Sequence, residues 1–189
     1  MNIGLYFGSF NPVHTGHLII AKHVLNNTKL KQVWCIVSPQ NPLKKTSSLL
    51  NEYHRLHLIQ SAIEGENDLK ASNIEFHLPK PSYTIDTLTH LKEKYPSYSF
   101  SVIMGSDSYC NINKWKNYKT LLRDYDLYIY KRPGFEISAT LEDNIKLLDA
   151  PLLEISSTHI RELIKAGKSI RYLVPDAVKE EIERNHYYR

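Results

Sequence analysis

The sequence predicts an α/β fold: an open, mainly parallel sheet with helices on both faces. Three observations lead there. Short apolar runs alternate with amphipathic stretches from one end of the chain to the other. Gly or Pro closes several of the apolar runs. No linker-like stretch or internal repeat divides the chain. Strand–helix alternation of this kind builds βαβ units, whose right-handed crossovers give parallel strands covered by helices. The 189 residues, 42% of them apolar, suit one core and a single domain spanning 1–189.

The elements follow in order. Ile3 to Phe7 is an apolar strand ended by Gly8. Residues 16–27 place Leu18, Ala21, Val24 and Leu25 at helical spacing. Val33 to Val37 is a strand rich in β-branched residues, stopped by Ser38-Pro39. Residues 39–50, with two prolines, Lys44, Lys45 and three Ser/Thr, read as a mobile loop. Residues 51–64 form a helix with Leu56, Ile59 and Ile63 on one face, ended by Gly65. Residues 69–78 alternate loosely and predict a strand. Residues 84–94 predict a helix through Ile85, Leu88 and Leu91. Phe100 to Met104 is a strand closed by Gly105, and Leu127 to Tyr130 one closed by Pro133-Gly134. Leu152 to Ile155 predicts a short last strand. Residues 157–166 set Ile160, Leu163 and Ile164 on one face before Gly167, a helix stop. Pro175 opens a final helix with Val174, Val178 and Ile182 in register.

Composition limits the function classes. With 24 Lys+Arg against 20 Asp+Glu, the formal charge is +4. That mild excess suits an anionic small molecule without demanding nucleic acid. Cys35 and Cys110 form no CxxC and no disulfide framework, so a reducing compartment is expected. No apolar stretch approaches the roughly 18 residues of a membrane span. The first residues lack a basic leader and a long apolar region. The expectation is a soluble cytoplasmic protein with no membrane partner.

Some motifs fail on inspection. Gly167-Lys168-Ser169 resembles the end of a P-loop, but position 162 is Glu and the segment follows a helix, where the motif needs a strand. No GxGxxG follows the first strand. His14-x-x-His17 and His54-x-x-His57 lack the further Cys or carboxylate of a structural zinc site, so no protein-held metal is expected.

Two helix starts carry chemistry. After the first strand comes Gly8-Ser9-Phe10-Asn11-Pro12-Val13-His14-Thr15-Gly16-His17. Gly16 permits close backbone approach to a ligand. His17 falls in the first helical turn, where free N–H groups and the helix dipole favour an anion. A plain turn with two satisfied histidines is the alternative. The second start, Ile155-Ser156-Ser157-Thr158-His159-Ile160-Arg161, offers hydroxyls, N–H groups and a guanidinium. Either serine can be a simple N-cap. An arginine so early opposes the helix dipole, and a bound phosphate would relieve that conflict. Two anion-seeking helix ends in one Rossmann-like chain point to a triphosphate.

These segments resemble the two signatures of the HxGH nucleotidyltransferase superfamily. Within it the chain is similar to the bacterial nicotinate-nucleotide adenylyltransferase family. Ser82-Tyr83-Thr84-Ile85-Asp86-Thr87-Leu88, Gly105-Ser106-Asp107 and Trp115 support this branch. The resemblance runs from residue 3 to about 175. The related phosphopantetheine branch typically carries Asp and Thr where this chain has Asn11 and His14. Two departures stand out: Leu43 replaces the histidine of a Pro-His-Lys loop, and Tyr118 stands where a second aromatic often follows the tryptophan.

The resemblance implies transfer of AMP from ATP to nicotinate mononucleotide, releasing pyrophosphate. A phosphate monoester has a second pKa near about 6, so the nucleophile is ionised at neutral pH. Neither a general base nor a covalent intermediate is needed. The residues implied for catalysis are His14, His17, Lys44 and Arg161. ATP would be held by the loop residues Gly8, Ser9, Phe10, His14, Gly16 and His17. Gly105 and Asp107, and then Ser156, Ser157, Thr158 and Arg161, would complete its site. Asn11, Lys44, Tyr83, Thr84 and Trp115 would hold the acceptor. Mg²⁺ would arrive with ATP.

Each role has a bland counterpart: Trp115 as a core aromatic, Thr84 as an N-cap, Asp107 as a turn cap. Lys114-Trp115-Lys116-Asn117-Tyr118-Lys119 interleaves base and aromatic, so a non-catalytic RNA-binding module is the rival from another class. Nothing in that rival explains two phosphate-type helix starts, and no nucleic acid is expected. A transferase for another phosphomonoester (nicotinamide mononucleotide or phosphopantetheine) is the nearer rival. The sequence leaves open whether the chain forms a homo-oligomer.

Overall fold

The computed structural model describes residues 1–40, 49–137, 141–151 and 154–189. Six strands form one parallel sheet in the order β3-β2-β1-β4-β5-β6. They are β1 (Asn2–Gly8), β2 (Gln32–Val37), β3 (Leu69–Ser72), β4 (Ser99–Gly105), β5 (Leu127–Tyr130) and β6 (Ile145–Leu148). Among the described residues seven α-helices accompany them: α1 (Thr15–Asn27), α2 (Glu52–Ala62), α3 (Thr84–Lys94), α4 (Ser106–Tyr109), α5 (Tyr118–Asp124), α6 (Ser157–Lys165) and α7 (Asp176–Arg184).

The central strands β1, β2, β4 and β5 are buried on both faces, as parallel strands under helices must be, while the edge strands β3 and β6 are partly exposed. Side chains alternate between two cores. Tyr6, Val33, Cys35 and Ile103 join Ala21 and Val24 of α1, Leu58 and Ile59 of α2, Ile160 of α6 and Val178 of α7. Leu5, Trp34, Ile36 and Val102 point the other way, against Leu88 and Leu91 of α3 and Leu121 of α5. The order reverses at β1, whose neighbours are β2 and β4. The carboxyl ends of β1 and β4 are therefore the place where such a sheet opens a crevice for ligands.

Three expectations need correction. The strand over 69–78 stops at Ser72: Asn73 bends to φ −98°, ψ 19°, and Ile74–His77 close as a 3₁₀ turn through Phe76 N–H to Asn73 C=O at 2.9 Å. Among the described residues the last strand is Ile145–Leu148, which was not expected; of the strand expected over 152–155, Glu154 and Ile155 are not in a strand, and Leu152 and Leu153 lie outside the described residues. Asn144 decides this, since its amide bonds the Leu122 and Tyr125 carbonyls at 2.6 and 2.9 Å and feeds Ile145 in beside β5. The α2 face expected from Leu56, Ile59 and Ile63 does pack into the core, joined there by Leu58 and the buried Arg55. Helix α5, with Leu121 1% exposed, occupies a stretch for which no separate helix was expected. Gly167 does stop α6, at φ 65°, with Lys168 N–H returning to the Leu163 carbonyl at 2.9 Å.

Candidate functional site

The loop from β1 to α1 is shaped by its own aromatic contacts. Phe10 lies at φ 45° and is 1% exposed. Its ring meets Tyr6 edge-on at 5.7 Å and His17 at 5.0 Å. A left-handed backbone at a non-glycine residue costs energy, and such residues cluster at functional sites. His14 then takes the N-cap of α1. Its N–H donates to His17 Nδ1 at 3.2 Å, and the two rings lie 3.6 Å apart. Because Nδ1 accepts, neutral His17 carries its proton on Nε2.

Burial, and next the positive charge of Arg132, push the His14 pKa down to about 4. His14 is neutral at pH 7, and its buried Nδ1 has no hydrogen-bond partner among the described residues. Gly16 is needed beside it. A Cβ there would come within 3.1 Å of His14 Nδ1.

The second helix start meets the first. Ser157 Oγ donates to the Pro12 carbonyl at 2.9 Å, and Arg161 Nη1 to the Asn11 carbonyl at 2.7 Å. Arg161 Nη2 also reaches Thr158 Oγ1 at 3.2 Å. Ser156 caps α6 by accepting from His159 N–H at 3.2 Å. Helices α2, α3 and α7 each have an acid in the first turn, whereas α1 and α6 have none. These two amino ends therefore keep their positive dipole potential uncancelled.

The ends of β4 and β5 close the third side. Asp107, in the first turn of α4, pairs with Arg132 Nε at 3.2 Å. Arg132 N–H donates to Ser106 Oγ at 2.9 Å, and its Nη2 to Tyr130 Oη at 3.1 Å. A Cβ at Gly105 would strike the Asp107 carboxylate and lie 2.9 Å from Arg132 Nε, so a larger residue there would have to displace this ion pair. Sequence reasoning missed Arg132. Its signal was a cation placed just after an apolar strand end.

Across the cleft, Tyr83 takes the N-cap of α3 without a side-chain cap bond. Lys116 lies 5.0 Å above the Tyr83 ring and pairs with Asp86 at 2.8 Å. Trp115 is half-buried and packs on the core cluster that holds Ile112.

Two further residues were missed because only the tertiary fold brings their partners near. Arg55 is fully buried, and its guanidinium binds the carbonyls of Leu50 at 2.7 Å, Ser9 at 2.5 Å, Ser38 at 2.9 Å and Pro39 at 3.3 Å. It ties the loops after β1 and β2 together. Glu75, 1% exposed, accepts from Ser82 Oγ at 2.6 Å and Thr87 Oγ1 at 2.8 Å.

One cleft of about 580 Å³ joins these parts. That is the size of a small-molecule site. It is lined by Gly8 through Asn11, His14 and His17; by Gly105 and Asp107; by Ser156, Ser157, Thr158 and Arg161; and by Tyr83, Thr84 and Trp115. Gly16 lines an adjoining hollow that shares Tyr6, His14, His17 and Arg132. Lys44 lies outside the described residues. Among the described residues, no group of three or more His, Cys, Asp or Glu side chains is placed to hold a metal. No helix is long and apolar enough to cross a membrane. The second histidine pair faces α7, with His54 stacked on Tyr187 at 5.0 Å and His57 3.4 Å from Glu181.

Such a cleft can hold a polyphosphate against two helix ends and a flat ring on the far side. The cytidylyltransferase-like family model matches residues 5–163. A Cytophaga hutchinsonii protein named "Probable nicotinate-nucleotide adenylyltransferase" is 51% identical over 189 residues, covering 100% of this chain and 98% of that one. A protein of the same name from Flavobacterium johnsoniae is 48% identical, with 100% of both chains covered. A solved structure of Plasmodium falciparum nicotinic acid mononucleotide adenylyltransferase complexed with NaAD shares the fold. Its TM-score is 0.83 at 23% identity, covering 99% of this chain and 97% of that one.

Proposed function

Since the chain belongs to the nicotinate-nucleotide adenylyltransferases, a branch of the cytidylyltransferase-like family, we propose that its whole length acts as one catalytic unit. That unit joins ATP and nicotinate mononucleotide, giving nicotinate adenine dinucleotide and pyrophosphate, as a step of NAD biosynthesis. The observation that carries this reading is the junction of α1 and α6, where Arg161 and Ser157 bond the Asn11 and Pro12 carbonyls. Two helix amino ends that meet at one place without an acid in their first turns suit a triphosphate.

The acceptor's phosphate oxygen attacks the α-phosphorus of ATP, and the bond to pyrophosphate breaks opposite it. The attacking oxygen is already ionised, so the protein aligns the groups and stabilises charge. His17 Nε2–H and the α1 N–H groups meet the α-phosphate. Neutral His14 serves as a directional donor at the same helix end. Arg161 and the α6 start, with Ser156, Ser157 and Thr158, take the charge that builds on the leaving pyrophosphate. Lys44 adds a cation from its loop, and Arg132 raises the potential of the whole cleft. Gly8, Ser9 and Phe10 let the nucleotide lie close to the chain, and Asp107 offers its carboxylate to a ribose hydroxyl. Mg²⁺ enters with the ATP phosphates and neutralises part of their charge.

The amino end of α3, at Tyr83 and Thr84, presents N–H donors to the acceptor's carboxylate, with Trp115 against its ring and Asn11 towards its phosphate. A carboxylate only accepts hydrogen bonds, so a donor-lined wall favours nicotinate over nicotinamide. We assign the enzyme to the cytoplasm.

Pyrophosphate release with ATP and a panel of phosphomonoesters tests this. The expected result is kcat/KM for nicotinate mononucleotide at least about tenfold above nicotinamide mononucleotide and phosphopantetheine. No release with nicotinate mononucleotide refutes the reading, and equal efficiencies for the two pyridines refute the donor-lined wall.

A further inference from the structure

Glu75 is a charged residue in the wall of the acceptor side, yet almost nothing of it reaches solvent: it is 1% exposed and lines the cleft beside Ser82, Tyr83 and Thr84. Among the described residues no Lys, Arg or His lies within ion-pair distance of it. Hydroxyls satisfy it instead. Ser82, just before α3, donates to Oε2 at 2.6 Å; Thr87, one turn into α3, donates to Oε1 at 2.8 Å.

These two donors flank the first residues of α3, one just before the helix and one a turn into it. The carboxylate, held on the 3₁₀ turn after β3, gathers them at one point. Charge-assisted bonds of this kind are short and directional. They fix where the amino end of α3 stands relative to the sheet. Tyr83 provides no side-chain cap, so the first N–H groups of α3 stay available to the cleft. Their aim depends on the Ser82 and Thr87 anchors on either side of them.

We propose that Glu75 is a positioning residue for acceptor specificity. It locks the start of α3 so that its N–H groups converge on the carboxylate of the pyridine substrate, and it takes no part in binding ATP. This rests on the reading that Tyr83 and Thr84 hold that carboxylate.

The test compares KM values for the two substrates. Wild-type turnover of nicotinate mononucleotide is the control, and its absence would refute the functional reading rather than the role of Glu75. In Glu75→Gln, the KM for nicotinate mononucleotide is expected to rise on the order of tenfold, while the KM for ATP stays within about twofold. The preference for nicotinate over nicotinamide mononucleotide should fall by the same factor.

Ser82→Ala and Thr87→Val remove the same bonds from the other side and should reproduce the split, so the test survives if Glu75→Gln folds poorly. The double variant Glu75→Gln/Ser82→Ala should be no worse than the poorer single variant. An unchanged acceptor KM, an equal rise for ATP, or additive single effects would overturn the proposal.

Discussion

Arg161 donates to the Asn11 carbonyl at 2.7 Å, joining the starts of two helices 150 residues apart in the chain. With the bond to Thr158 Oγ1, it uses two of the five guanidinium donors and holds the group beside the amino end of α6. Arg161→Ala should lower kcat on the order of 10²–10³-fold, the usual loss for a donor aimed at developing charge. Arg161→Lys keeps the charge but not the fork, and should fall between. Steady-state pyrophosphate release measures both. A change confined to the acceptor KM would place Arg161 elsewhere in the reaction.

Gly16→Ala should act through His14. The added methyl lies 3.1 and 3.2 Å from Nδ1 and Cε1 of that ring. Helical propensity alone favours alanine, by about 1 kcal/mol. The expected result is slower turnover with no loss of thermal stability. Unchanged kcat would mean the ring position does not matter.

His14 makes stability depend on pH. Its pKa in the folded chain is about 4, against about 6.5 when unfolded. Between these values the unfolded chain binds more protons, so stability falls as pH drops from about 6.5 to 4. The loss is on the order of 3 kcal/mol. Urea unfolding at several pH values should show this slope, and His14→Asn should flatten it. The same slope in both proteins would assign the effect to other groups.

His186 marks a different cost. It stands at φ 55° just past α7, where Tyr187 N–H returns to the Ile182 carbonyl at 3.1 Å. That is the place in a helix ending where glycine is preferred. His186→Gly should stabilise the chain by about 1 kcal/mol, raising Tm by about 2–4 °C. Activity should not change. A lower Tm would show that the His186 side chain contributes contacts worth more than the strain.

The local part of this site was legible in the sequence, because one short stretch supplies each helix start. Gly8 to His17 and Ile155 to Arg161 place their own residues. Arg132, Arg55 and Glu75 were not legible. Arg55 meets Ser9 46 positions away, and Glu75 meets Thr87 12 positions away, so neither pairing leaves a local pattern. Parallel strands under helices were implied by alternation, but the strand at Ile145–Leu148 was not foreseen. Ile145–Leu148 and residues 152–155 are equally apolar, and only the Asn144 bonds to the end of α5 and beyond select the first.

The account turns on a triphosphate bridging α1 and α6. A crystal structure with a non-hydrolysable ATP analogue tests this most directly. It should place phosphate oxygens within hydrogen-bond distance of both the His17 ring and the Arg161 guanidinium. An analogue whose phosphates contact only one of these helix starts, or neither, would contradict it.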